Sequence, residues 1–124
     1  MVVIDTSALL ALLFGESTAD WVAEQLNDHS AALVMSTINL TEALIRVRDL
    51  YPADAARIES ELFTRGIRFV SPDVRQAKLA AEARLKFPIN LGDCFAYALA
   101  VAEDCPVLTL DKQFKMTDRP VIMP

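Results

Sequence analysis

The sequence predicts an α/β fold, with a small, mainly parallel sheet held between layers of helices. Short apolar runs recur at Val2 to Ile4, Ala31 to Met35, Ile67 to Val70 and Val107 to Leu110, each brief and continuous enough for a strand covered on both faces. The segments between them have helical spacing and room for two helices each. Acids stand just past the first and last of these runs, at Asp5 and Asp111. In open parallel sheets, ligands bind beyond such carboxyl ends.

Taken in order, Val2 to Ile4 form a central strand that delivers Asp5 to the sheet edge, and Thr6 or Ser7 is expected to cap a helix from Ala8 to Phe14, closed by Gly15. A second helix runs from Glu16, Ser17 and Thr18 to Asn27, with Trp21, Val22, Gln25 and Leu26 near helical spacing. His29, the only histidine, falls in the polar turn Asn27 to Ser30 and reads as a loop residue. After the second strand, Ser36 or Thr37 caps a helix to Leu50 whose core face is Ile38, Ala43, Leu44, Val47 and Leu50. Glu42 and Arg46 stand one above the other on another face, one turn inside that helix. Pro52 starts a helix over Ala53 to Arg65, with Ile58, Leu62 and Phe63 inward, and Gly66 ends it. Ser71-Pro72-Asp73 caps the helix Val74 to Lys86. The run Cys94 to Ala102 is apolar or small throughout and makes a helix buried on most sides, stopped by Asp104 and Pro106. Asp93 lies in its first turn, where the macrodipole favours an ionised carboxylate by about 0.3 to 1 kcal/mol. A turn at Lys112 and Phe114 then leads to an edge strand, Val121 to Met123, behind Pro120.

At 124 residues the chain reads as one domain, 1–124, long enough to bury a core. Its 53% hydrophobic content excludes disorder, yet no stretch approaches the ~20 apolar residues of a membrane span. The opening MVVIDTS has no basic segment and carries Asp5 in its only apolar run, so a cytoplasmic location is expected. Cys94 and Cys105 read as reduced packing residues, in keeping with that compartment. A net charge of -5 argues against a general nucleic-acid coating protein, but not against a site that grips phosphates through bound metal.

Four carboxylates, Asp5, Glu42, Asp93 and Asp111, are therefore expected at strand ends or in the first turns of the helices that follow. If they converge they repel, at roughly 3 kcal/mol for two charges ~5 Å apart at an effective dielectric of about 20. A divalent cation would offset that cost. With oxygen ligands only, Mg²⁺ or Mn²⁺ is the expected ion, and its chemistry suits hydrolysis of a phosphate ester.

The motifs VIDTSAL at the N-terminus, TEAL around Glu42, LGDCFAYALA around Asp93 and PVLTLDKQF around Asp111 resemble those of PIN-domain ribonucleases, specifically the VapC-like toxins of type II toxin–antitoxin systems. The resemblance spans the whole chain in order and length. It implies a PIN-like three-layer α/β/α sandwich and a Mg²⁺-dependent endoribonuclease acting on RNA. It makes Asp5 and Asp93 direct metal ligands, Glu42 and Asp111 the rest of the acidic pocket, and Ser7 and Thr109 hydroxyls that orient carboxylates or substrate; Arg46, one turn beyond Glu42, is read beside them as a substrate-binding or orienting residue. It also implies a cognate antitoxin partner and a homodimer. Leu110 and Gln113 depart from a Gly and an acid common in the family, which implies one firmly held ion, with a second only when RNA supplies oxygens. A catalytically silent PIN-like binding module is the alternative. A receiver domain would want a second acid beside Asp5, and a haloacid dehalogenase-type phosphatase an Asp in place of Ser7.

Overall fold

Strand, two helices, strand, two helices, strand, two helices, strand, turn, strand is the order found in the computed structural model, which describes residues 1–124. The elements are β1 (Val2–Ile4), α1 (Thr6–Leu13), α2 (Ala19–Asp28), β2 (Leu33–Ser36), α3 (Thr37–Leu50), α4 (Ala55–Leu62), β3 (Arg68–Val70), α5 (Val74–Lys86), α6 (Leu91–Glu103), β4 (Val107–Leu108), a 3-10 turn (Lys112–Met116) and β5 (Val121–Ile122). The five strands are ordered β3-β2-β1-β4-β5 and every pairing is parallel. The chain order reverses at β1, so the gap between the ends of β1 and β4 is the switch point where such sheets form a crevice.

Alternation along β1 builds the layers. Val3 joins Val34 and Val107 beneath α5 and α6, with Ala80, Ala83, Ala96 and Leu99. Val2 and Ile4 face the other way, with Leu33, Met35 and Leu108 beneath Ala8, Leu9, Val22, Ala43 and Leu62 of α1 to α4. Because β1, β2 and β4 are buried on both faces they read as largely apolar runs, whereas the edge strands β3 and β5 are only half-buried and Arg68 of β3 is exposed. No helix is long and apolar enough to cross a membrane.

Several boundaries are tighter than the sequence suggests. β2 starts at Leu33 because the amide of Ala32 is spent on the His29 carbonyl, 3.0 Å away, in the turn that follows α2; His29 is half-buried there. β4 ends at Leu108: the Thr109 amide still donates to the Ile122 carbonyl at 3.2 Å, but beyond it the amides bond side chains, Leu110 N donating to Ser7 Oγ at 3.0 Å and Asp111 N to Thr109 Oγ1 at 2.9 Å. α4 is confined to Ala55–Leu62, Pro52 and Ala53 lying in the turn before it. Leu50 and Phe63, both expected inward, are 47% and 56% exposed. Leu50 is the last residue of α3, and Phe63 lies just past α4, where its ring meets the edge of Phe69 with centroids 5.5 Å apart.

Candidate active site

All four acids line one cavity of about 430 Å³ at the carboxyl edge of the sheet, together with Thr6, Ser7, Leu10, Ile45, Arg46 and Asn90. β1 supplies Asp5, the turn after β4 supplies Asp111, α3 supplies Glu42 and α6 supplies Asp93. Residues far apart in the chain thus meet in one hollow.

The carboxylates are held in a repeated manner. Asp5 is 1% exposed; its Oδ2 accepts from Ser7 Oγ at 2.7 Å and from Thr109 Oγ1 at 2.9 Å, while its Oδ1 has no partner. Glu42 Oε1 accepts from Thr6 Oγ1 at 2.9 Å and from Asn39 Nδ2 at 3.0 Å. Asp111 Oδ1 accepts from the amide of Gln113 at 2.9 Å, which caps the 3-10 turn. Asp93 is anchored through its backbone, whose amide donates to Asn90 Oδ1 at 2.9 Å, and its Oδ2 is buried without a partner. Buried oxygens with no donor are costly, on the order of several kcal/mol for a charged group.

Ser7 and Thr109 are expected to orient a carboxylate or substrate; in the structure both hydroxyls hold Asp5, and Ser7, accepting from the Leu110 amide, also ties the segment after β4 to α1. The expected cap of α1 by Thr6 or Ser7 is absent. Asp5 is the cap residue, without a side-chain cap bond, because these hydroxyls are spent on Glu42 and Asp5. Ser36 does cap α3, and Asn90 caps α6. Arg46 makes no ion pair with Glu42 and stays exposed at the cavity wall, its only cation.

Electrostatics reverse one expectation. Asp93 sits in the first turn of α6, yet its pKa is pushed up to about 8, chiefly by burial, then by the charges of Asp5 and Asp111, by Asp111 accepting its proton, and by the charge of Glu42. The helix terminus returns at most about 1 kcal/mol and is outweighed. Asp5 is raised as well, burial prevailing over the hydroxyl bonds of Ser7 and Thr109.

Sequence reasoning missed Thr6, Asn39, Asn90 and Gly92. A Cβ on Gly92 would overlap the Glu42 carboxylate, so only glycine lets Glu42 lie against the start of α6. Asn39 is fully buried and donates from one amide nitrogen both to Glu42 and, at 2.9 Å, to the Gly92 carbonyl. The only sequence signals were the polar residue one turn before Glu42 and the glycine beside Asp93.

Four carboxylates line the cavity with no His or Cys, and buried oxygens of Asp5 and Asp93 lack partners, a donor chemistry that fits a hard divalent cation held by oxygen, although the side chains as they stand do not form a closed cluster of three ligands. Asp5 and Asp93 carry the bare buried oxygens and are the residues suited to direct ligation.

The profile of the family described as PIN domain matches residues 2–120. Ribonuclease VapC of Mycolicibacterium smegmatis is 32% identical over 124 residues, covering 94% of this chain and 95% of that protein. Ribonuclease VapC42 of Mycobacterium tuberculosis is 33% identical over 126 residues, with 94% and 95% covered. Among solved structures, Mycobacterium tuberculosis VapC20, described as a sarcin-ricin loop cleaving toxin, superposes with a TM-score of 0.84 at 14% identity, covering all of both chains. VapBC2 from Rickettsia felis, bound to a DNA fragment from its promoter, gives 0.81 at 16% identity over 99% of this chain and 98% of that one.

Proposed function

This chain belongs to the PIN-domain family, among its VapC ribonucleases, and on that premise we propose that it is a divalent-metal-dependent endoribonuclease, the toxin of a toxin–antitoxin pair. The observation that carries the reading is the convergence of Asp5, Glu42, Asp93 and Asp111 on one cavity, with bare oxygens on Asp5 and Asp93. A silent binding module would bear the repulsion among those acids and gain nothing from it.

When bound, Mg²⁺ or Mn²⁺ would acidify a water and stabilise charge on a phosphodiester under in-line attack. The chain's part is to hold and orient. Ser7 and Thr109 fix Asp5, and Thr6 and Asn39 fix Glu42, so little reorganisation is left for the reaction. Burial and the neighbouring carboxylates favour the neutral form of Asp93, so Asp93 must lose its proton before it can ligate. Arg46, unpaired on the wall, is placed to grip a phosphate of the substrate, and Leu10 and Ile45 beside it give that wall an apolar side. Hydrolysis adds water across a P–O bond, leaving a phosphate on one fragment and a hydroxyl on the other.

The test is cleavage of cellular RNA by the purified chain with Mg²⁺ or Mn²⁺ and with chelator. Cleavage is expected only with metal; equal cleavage in chelator would sink the metal reading. Replacing Arg46 by Ala is expected to raise KM about tenfold at low salt and to flatten its salt dependence, since each phosphate contact released makes binding less salt-sensitive. A KM unchanged at all salt concentrations would remove Arg46 from the substrate path.

An antitoxin and a second copy of the chain are the partners we assign. In support, large apolar side chains stand exposed on and beside α3, among them Ile45 at 60% and Tyr51 at 43%, the Tyr51 ring tilted against that of Phe14 with centroids 5.0 Å apart. Light scattering on the chain, alone and co-expressed with its antitoxin, reads both stoichiometries.

A further inference from the structure

Glu42 reaches the cavity from α3, whereas Asp93 stands on α6, so something must set one helix against the other at the level of the carboxylates. Asn39 lies one turn before Glu42 on α3 and is fully buried. A primary amide nitrogen has two protons. Here one goes to Glu42 Oε1 at 3.0 Å and the other to the Gly92 carbonyl at 2.9 Å, so a single side chain joins a site carboxylate to the backbone of the first turn of α6. Thr6 donates to the same Glu42 oxygen from α1 at 2.9 Å, and its hydroxyl is also 3.2 Å from the Asn39 carbonyl.

Stability alone does not account for this residue. Asn39 Oδ1 is buried with no partner. A bare acceptor in the interior is costly, and an Ala or Leu at the same place would not carry that cost. The arrangement makes sense through what the nitrogen does. Glu42 is a long side chain with three rotatable bonds, one turn from the free Arg46 guanidinium and next to open solvent. Left to itself it would sample all of these directions. Two donors on Oε1 leave Oε2 as the oxygen free to serve the cavity.

We infer that Asn39 is the positioning residue that registers Glu42 against Asp93, acting with Thr6 across the space left open by Gly92. It touches neither substrate nor ion and works through Glu42. The inference rests on the acidic cavity being a cation site, and it assigns to a buried amide a role in how tightly that cation is held.

The experiment measures Mn²⁺ affinity by calorimetry on the full chain without RNA, beside kcat and KM for RNA cleavage. Asn39→Ala is expected to weaken Mn²⁺ about tenfold, in the range of residues that orient metal ligands. It should lower kcat and leave KM and the metal-free melting temperature close to those of the parent. Thr6→Val, nearly the same shape without the hydroxyl, is expected to act in the same direction by a smaller factor, and it serves as the readout if Asn39→Ala fails to fold. In a Glu42→Gln background, Asn39→Ala is expected to add less than twofold, because the side chain it positions is already disabled. A full tenfold loss in that background, or a lowered melting temperature with Mn²⁺ affinity unchanged, would overturn the assignment. A chain that shows the coupling in Mn²⁺ affinity yet cleaves no RNA supports the positioning role and counts against the nuclease reading instead.

Discussion

Replacing Asp93 by Asn is expected to lower RNA cleavage on the order of 1,000-fold or more, roughly 4 kcal/mol of transition-state stabilisation at 1.36 kcal/mol per factor of ten. It is also expected to make the metal-free protein more stable than its parent at high pH. The two effects have one cause. Asp93 is pushed up to about 8 because its charged form is buried among Asp5, Asp111 and Glu42. A raised acid favours the neutral folded state, so its contribution to stability is complete below the ordinary value of 3.8 and is lost as pH rises through about 8. The parent's metal-free melting temperature should therefore fall across that window, and the Asn variant's should fall less. At pH 9 the variant should melt roughly 5 °C or more above the parent without metal. With millimolar Mg²⁺ the order should invert, because the cation replaces the missing counter-charge only where the carboxylate exists. At pH 7 binding should expel about one proton per ion, since Asp93 is mostly neutral there before metal arrives. Melting curves with and without Mg²⁺ at pH 6 and pH 9, with calorimetry in two buffers of different ionisation heat, check every part. Parallel pH profiles for parent and variant would mean that Asp93 is not the buried acid the cavity makes it.

The parts of this site legible in the sequence are those whose meaning is local. A short apolar run ending in an acid states both a strand and the edge at which its carboxylate emerges, which is why Asp5 and Asp111 fall where expected. A run of small and apolar residues opening just after an acid does the same for Asp93, which marks the first turn of a buried helix. Glu42 needed more, since an acid four residues before an arginine on a helix reads equally well as a surface ion pair, and only the packing of α3 against α6 shows that no such pair forms. Thr6, Asn39 and Gly92 were invisible for the same reason: hydroxyl, amide and hydrogen at those positions acquire their roles from partners 36, 53 and 50 residues away. The helix-dipole expectation for Asp93 failed because it counted one favourable term of about 1 kcal/mol and could not see the burial and neighbouring carboxylates opposing it.

Gly92 to Ala separates stability from activity most sharply. In an ordinary helix the change would be welcome, worth up to about 1 kcal/mol in propensity, and Gly92 has no left-handed backbone that demands glycine. Here the new methyl would occupy the space of the Glu42 carboxylate. The obstructing atoms are the far end of a flexible side chain, so the helices need not part; Glu42 can swing out and abandon the hydroxyl of Thr6 and the amide of Asn39. Losing those bonds costs about 1 kcal/mol each, near the propensity gain, so the metal-free melting temperature should shift by only a few degrees. Cleavage should nevertheless fall about 100-fold, and Mn²⁺ affinity with it, because a carboxylate in solvent no longer completes the cavity. Combined with Glu42→Gln, the alanine should add almost nothing further. A Gly92→Ala protein that cleaves at the parent's rate would show that Glu42 does not act from the place it holds against α6. A protein that no longer folds would show instead that the contact between α3 and α6 is too tight for Glu42 to leave.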